Sequence, residues 1–178
     1  RIQKLFGTTI VQITHHFDDV FALANRIAIM REGQIVQVGD ISEVFLHPSD
    51  TFVAEFLGIG NIIRGTSSKS GNIIQITTHD GTAFFAASGI IGDIVATLHA
   101  EDVILSKAPF ASSARNCLLG TVTEIIPTGS TVRIILDVGF LLTALLTRES
   151  CRELYLEPGS RVYATFKASA VHVMQVTS

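Results

Sequence analysis

Beyond residue 110, three short polar strings interrupt apolar runs: Ser112-Ser113-Ala114-Arg115-Asn116, Thr147-Arg148-Glu149-Ser150 and Lys167-Ala168-Ser169. Each sets hydroxyls with or beside a cation, so each is rich in hydrogen-bond donors. Taken singly they also have plain readings as a strand entry, as an N-cap at Thr147 for a helix over 148–154, and as a solvated edge charge. A fourth polar spot is His15-His16, which follows the β-branched run Thr8–Thr14 and precedes Phe17, Val20, Phe21 and Ala24 at helical spacing. The end of a strand just before a helix is where open α/β sheets place ligand contacts. The plain alternative is a pair of polar loop residues.

The elements that must carry these strings fall into two styles. After the strand, loop and helix read over 8–24, the apolar runs 26–30 and 35–38 are joined by Arg31-Glu32-Gly33-Gln34, which reads as a β-hairpin. Residues 42–46 and 51–57 read as helices, the second with Ser49 or Asp50 as N-cap and Gly58 just past its end. Beyond Gly58 the pattern changes to short strands spaced by turn signals such as Ser70-Gly71-Asn72, Asp80-Gly81, Thr128-Gly129-Ser130 and Pro158-Gly159. Within this all-β region Ala96–Val103 aligns with Ala164–Val171, with Ala, Thr, Ala and Val coinciding. Such a repeat is expected of two small Greek-key barrels in tandem.

Composition narrows the function classes. At 47% hydrophobic residues the chain has material for buried cores, yet no apolar run approaches the roughly 18 residues of a membrane span. It opens at Arg1 without a Met or a signal-like segment and reads as a piece of a longer protein. Two cysteines, Cys117 and Cys151, suggest free thiols in a cytosolic protein, with no metal site. The net charge of −3 argues against general nucleic-acid binding. Residues 108–178 hold 6 Lys/Arg against 5 Asp/Glu, so the tail is near neutral and permits an anion site.

The string from Thr8 to Gly58 (TTIVQITHHFDDVFALANRIAIMREGQIVQVGDISEVFLHPSDTFVAEFLG) resembles the end of the nucleotide-binding domain of ABC importers. The resemblance implies that His15 is the switch histidine that touches the γ-phosphate of ATP; the next position, commonly Asp, is His16 here. Phosphoryl transfer also needs a Gly-rich phosphate loop with Lys and acidic Mg²⁺ ligands. No G-x-x-x-x-G-K-[ST] string occurs in the 178 residues, so the chain is expected not to hydrolyse ATP alone. ATP and Mg²⁺ belong to the parent subunit. The β-branched run 8–14 would lack its sheet neighbours, and a second copy is expected to shield residues 1–57.

The region from Ser112 to Met174 resembles the molybdate-binding (Mop-type) domains of molybdenum-responsive regulators, storage proteins and molybdate or tungstate importer ATPases. The shared strings are SARN-x-L-x-G-x-V at Ser113–Val122, T-x-x-S at Thr147 and Ser150, and KAS-x-V at Lys167–Val171. Carried over by position, the oxyanion contacts are Ser113, Arg115, Thr147, Ser150, Lys167 and Ser169. A tetrahedral dianion offers only acceptors, and all six residues are donors. At the positions of Lys167 and Ser169 the first repeat has His99 and Glu101, and a carboxylate there repels a dianion.

The combined expectation is a mainly β chain with two tandem small OB-like, Greek-key (Mop-type) barrels preceded by a truncated α/β fragment. Its parts are residues 1–57 from the nucleotide-binding domain, 58–107 as a structural barrel and 108–178 as the oxyanion-binding barrel. The resemblance implies a homodimer that binds molybdate or tungstate between chains and regulates uptake. It also implies transmembrane permease subunits as partners, and a cytoplasmic location on the inner face of the cell membrane. The alternatives are a ligand-free dimerisation module of an ATPase importing a sugar, polyamine or other anion, and an OB-like nucleic-acid binder. The last lacks the basic groove with exposed aromatics that such readers need.

Overall fold

In the computed structural model, which describes residues 7–176, the chain forms two compact units divided between Leu46 and His47. The smaller unit contains helix α1 (Phe17–Leu23), a hairpin of β1 (Arg26–Arg31) and β2 (Gln34–Asp40), and helix α2 (Ile41–Leu46). The hairpin is tighter than the expected four-residue connection. Pairing runs to Arg31 opposite Gln34, leaving Glu32 and Gly33 at φ 50° and 80° as a two-residue turn whose twist matches that of the strands. Phe17 and Phe21 of α1 meet Phe45 of α2 at ring-centroid distances of 5.7 and 4.6 Å.

The strand expected over Thr8–Thr14 does not form, and the described part of this stretch is extended chain without a ladder. β-Branched residues suit a pleated sheet, but a strand exists only when a neighbour takes up its N–H and C=O groups. No strand of the described residues does so, and Val11 and Ile13 are 87% and 92% exposed.

The larger unit opens with α3 (Thr51–Phe56). Asp50 caps it by accepting from the Val53 N–H at 2.8 Å, and Gly58 follows at φ +72°. The Gly58 and Ile59 N–H groups close back onto the Glu55 and Ala54 carbonyls, satisfying the helix end as expected. Then come β3 (Asn61–Ser70), β4 (Ile73–Thr78), β5 (Ala83–Ala86), β6 (Gly92–Leu98), a 3-10 turn over Ala100–Asp102 and β7 (Ile104–Ser106). A second series follows with β8 (Asn116–Thr128), β9 (Thr131–Asp137), β10 (Leu141–Thr147) and helix α4 (Arg148–Glu153). It ends with β11 (Arg161–Phe166), a 3-10 turn over Ala168–Ala170 and β12 (His172–Gln175).

These strands make two five-stranded sheets ordered β12-β6-β3-β4-β5 and β10-β9-β8-β11-β7. Each series lends its last strand to the other sheet. His172 of β12 lies opposite Thr97 of β6, and Ile104 of β7 lies opposite Thr165 of β11, positions that match in the internal repeat. Alternation builds the interior. In β9, Val132, Ile134 and Leu136 point inward, and in β4, Ile74, Ile76 and Thr78 do. The inner faces share one continuous core in which Phe84 packs against Phe140 and Phe166 at 5.8 and 6.1 Å. The chain is mainly β, with two small OB-like barrels following an α/β fragment, as the sequence implied.

Candidate functional site

The two series repeat a local device that the string comparison missed. Asn61 and Asn116 each open the first strand of a barrel, nearly fully buried, and each reaches across to the other barrel's third strand. The Asn116 side-chain amide donates to the Phe85 carbonyl at 2.9 Å, and its Oδ1 accepts from the Phe85 N–H at 2.7 Å. Asn61 does the same to Thr143, at 2.9 and 2.6 Å, and also donates to the Leu98 carbonyl. Four residues on, Gly65 and Gly120 allow close approach, since a Cβ there would lie 2.6 Å from the Thr77 carbonyl oxygen and 2.9 Å from that of Asp137. The signal was present as Asn-x-x-x-Gly-Thr at 61–66 and 116–121.

The aligned strings 96–103 and 164–171 also share geometry. His99 and Lys167 precede their 3-10 turns with nearly equal dihedrals, φ −67° ψ 140° and φ −74° ψ 144°. Lys167 and Ser169 are exposed on that turn. The Ala168 carbonyl accepts from the Ala87 N–H at 2.9 Å, which seats the turn on the chain leaving β5 of the first barrel.

Of the six expected oxyanion contacts, two groups are distinguishable. Asn116 pairs with Phe166, so Arg115 and Lys167 are the next residues beyond the same ladder end, with Ser113 in the exposed segment before Arg115 and Ser169 in the turn after Lys167. Thr147 and Ser150 form the second group. Thr147 ends β10 and caps α4 by accepting from the Ser150 N–H at 3.1 Å, and the two hydroxyls lie 2.9 Å apart. Thr147 is opposite Thr131, which is opposite Thr128 at the far end of β8. The thirteen residues of β8 therefore stand between the groups, a contour of about 40 Å at the usual strand rise. A single chain presents both halves of the donor set at opposite ends of one strand.

His15 lies in the smaller unit, exposed and just ahead of α1, with its ring 4.1 Å from that of His16. His16 occupies the N-cap position but makes no side-chain cap bond; its backbone N–H donates to Thr14 Oγ1 at 3.1 Å.

A second histidine pair joins the start of the larger unit to its last strand. His47 and His172 bring their Nδ1 atoms to 3.2 Å. Burial, and then the neighbouring His47, hold the His172 pKa below 6.5, against a hydrogen bond to the Pro48 carbonyl that works the other way. Among the described residues no cluster of three or more His, Cys, Asp or Glu forms. None of their helices is long and apolar enough to cross a membrane.

Comparison with known proteins shows what these features resemble. The TOBE domain model matches residues 112–173. The molybdate/tungstate import ATP-binding protein WtpC of Pyrococcus abyssi is 38% identical over 96% of this chain and 48% of its own length. The spermidine/putrescine import ATP-binding protein PotA of a Nostoc species is 29% identical over 77% of the chain and 38% of its own length. Among solved structures, the cytoplasmic molybdate-binding protein ModG with molybdate bound superposes with a TM-score of 0.56 at 28% identity, covering 65% of this chain and 95% of that one. The chain spans about half the length of the curated relatives it matches. The second barrel thus matches the TOBE domain over residues 112–173, and over nearly its whole length the chain is similar to ATP-binding proteins of molybdate/tungstate import.

Proposed function

We propose that the chain is the regulatory part of an importer ATPase and that it binds molybdate or tungstate between two copies of itself. The observation that carries this reading is the division of the donor set. Arg115 and Lys167, with Ser113 and Ser169, gather at one end of β8, while Thr147 and Ser150 lie at the other. A dianion needs donors on all sides. The cationic group of one copy, set against the hydroxyl group of a second, supplies both the charge and the closure. A bridge of this kind fixes the spacing of the subunits it joins. When cytoplasmic oxyanion is abundant, it favours an arrangement in which the nucleotide-binding domains stay apart, and ATP-driven uptake slows.

In the whole subunit His15 contacts the γ-phosphate, ATP and Mg²⁺ being held mainly by residues outside this chain, so these 178 residues do not turn over ATP by themselves. The subunit sits at the inner face of the cell membrane against permease partners. A second reading is a dimerisation module without a ligand, and the kinship to spermidine/putrescine import proteins favours it.

Calorimetric titration with tungstate, molybdate and sulfate separates the two. The oxyanion reading expects heat with the first two. Lys167→Ala or Arg115→Ala should each cost about 2–3 kcal/mol as a lost charge-assisted contact, a weakening of roughly 100-fold. Light scattering should show the dimer favoured by ligand. Absence of heat with either metal oxyanion selects the ligand-free module.

A further inference from the structure

The Arg115 end of the second barrel does not face open solvent alone. Arg115 lines an open cleft of about 460 Å³ together with Ser70, Asn72, Ile73 and Phe85, all four from the first barrel. Three constraints hold the cleft together. The Asn116 clamp fixes the start of β8 on Phe85. The β8–β11 register ends at Asn116 opposite Phe166, one residue short of Arg115 and Lys167. The Ala87–Ala168 hydrogen bond seats the Lys167 turn on the strand end that carries Phe85. Ser70 and Asn72 flank Gly71 in the β3–β4 turn, and among the described residues no carboxylate lines the cleft.

We propose that the anion seat at this end is shared between the two barrels, with Arg115 supplying charge and Ser70 and Asn72 supplying neutral donors from the β3–β4 turn. The proposal rests on the oxyanion reading above, and it gives the first barrel a part in recognition as well as in scaffolding. The molecule contains its own control. In the repeat, Asn61 clamps Thr143 as Asn116 clamps Phe85, and Thr128-Gly129-Ser130 matches Ser70-Gly71-Asn72 in hairpin register. There Gly60 stands where Arg115 does, and His99 and Glu101 stand where Lys167 and Ser169 do. The counterpart has the same turn and the same clamp without the cations, and it adds an acid.

Placing one carboxylate on the β3–β4 turn and, as a control, one on the hairpin of the smaller unit tests the idea. In tungstate titrations of the 178-residue chain, Asn72→Asp should weaken binding at least about tenfold, whereas Gln34→Asp, at an exposed position of the smaller unit and with the same change in net charge, should leave affinity within about twofold. Thermal melts establish that both variants fold. If Asn72→Asp disturbs the turn, the Ser70→Ala/Asn72→Ala double variant replaces it and should weaken binding several-fold. Asn72→Asp, or the double variant in its place, matching wild type while Arg115→Ala has lost binding would overturn the shared seat and leave the oxyanion function intact. Equal losses in Asn72→Asp and Gln34→Asp would also overturn it, because bulk charge would then explain both. A wild-type chain that takes up no tungstate would remove the function on which the inference stands.

Discussion

The two ends of the double barrel differ in charge and agree in the clamp, the glycine and the turn that build them. Asn61 and Asn116 make the same paired bonds to the opposite barrel, Gly65 and Gly120 allow the same close approach, and His99 and Lys167 adopt the same dihedrals. Both ends are therefore built on the asparagine, the glycine and the turn. That scaffold forms without a cation at one end, where Gly60 and His99 stand, and with Arg115 and Lys167 at the other. A residue that the scaffold leaves optional, in a place where its twin lacks it, is free to serve a ligand, as proposed for Arg115 and Lys167.

The comparison can be broken at its strongest point by removing the clamps. Asn61→Ala and Asn116→Ala each strand part-buried backbone groups of a facing strand, and each should cost about 2 kcal/mol, read as a lower denaturation midpoint with unchanged slope. Similar losses would sharpen the symmetry. If only one variant is destabilised, the two ends are not equivalent scaffolds.

A smaller effect separates the two helix ends. Beyond α3 the chain turns at Gly58, but beyond α4 Tyr155 takes the same role at φ +47° while 84% exposed. Side chains pay for that conformation, so Tyr155→Gly should stabilise by about 1 kcal/mol and raise the Tm by a few degrees. A lower Tm would mean that the tyrosine makes contacts worth more than its strain.

The smallest expected effect concerns β12 against β7, where His172 matches Ile104. Because the folded chain holds His172 below its ordinary pKa of 6.5, the unfolded chain binds the proton more readily. Stability should be unaffected by this group above that value and should fall as pH drops through 6.5 toward the folded pKa. His172→Gln should flatten the dependence of Tm on pH between about 7 and 5; an unchanged slope would remove His172 as its source.

Local features were legible in the residues because they depend on neighbours in sequence. Asp50 and Gly58 bracket α3, Thr147 caps α4, and alternation in β4 and β9 marks the inward face. The repeat at 96–103 and 164–171 was legible because both copies make the same 3-10 turn. What was not legible depends on distant partners. Thr8–Thr14 has the composition of a strand, but composition does not supply a ladder. The Asn-x-x-x-Gly-Thr string was visible twice, yet its meaning lies in bonds to residues 31 and 82 positions away. Nothing local told Lys167 and Ser169 that Thr147 and Ser150 would be carried to the opposite end of β8.

The crossed last strands make the pair of barrels a fused swap. Severed between Ser106 and Asn116, each fragment would carry away an edge that belongs to its twin, leaving both sheets one strand short and their unpaired rims open to association. Neither barrel is a separable module, and heat should melt the two in a single cooperative step. A strain introduced at either end reaches the other through covalent chain as well as through packing.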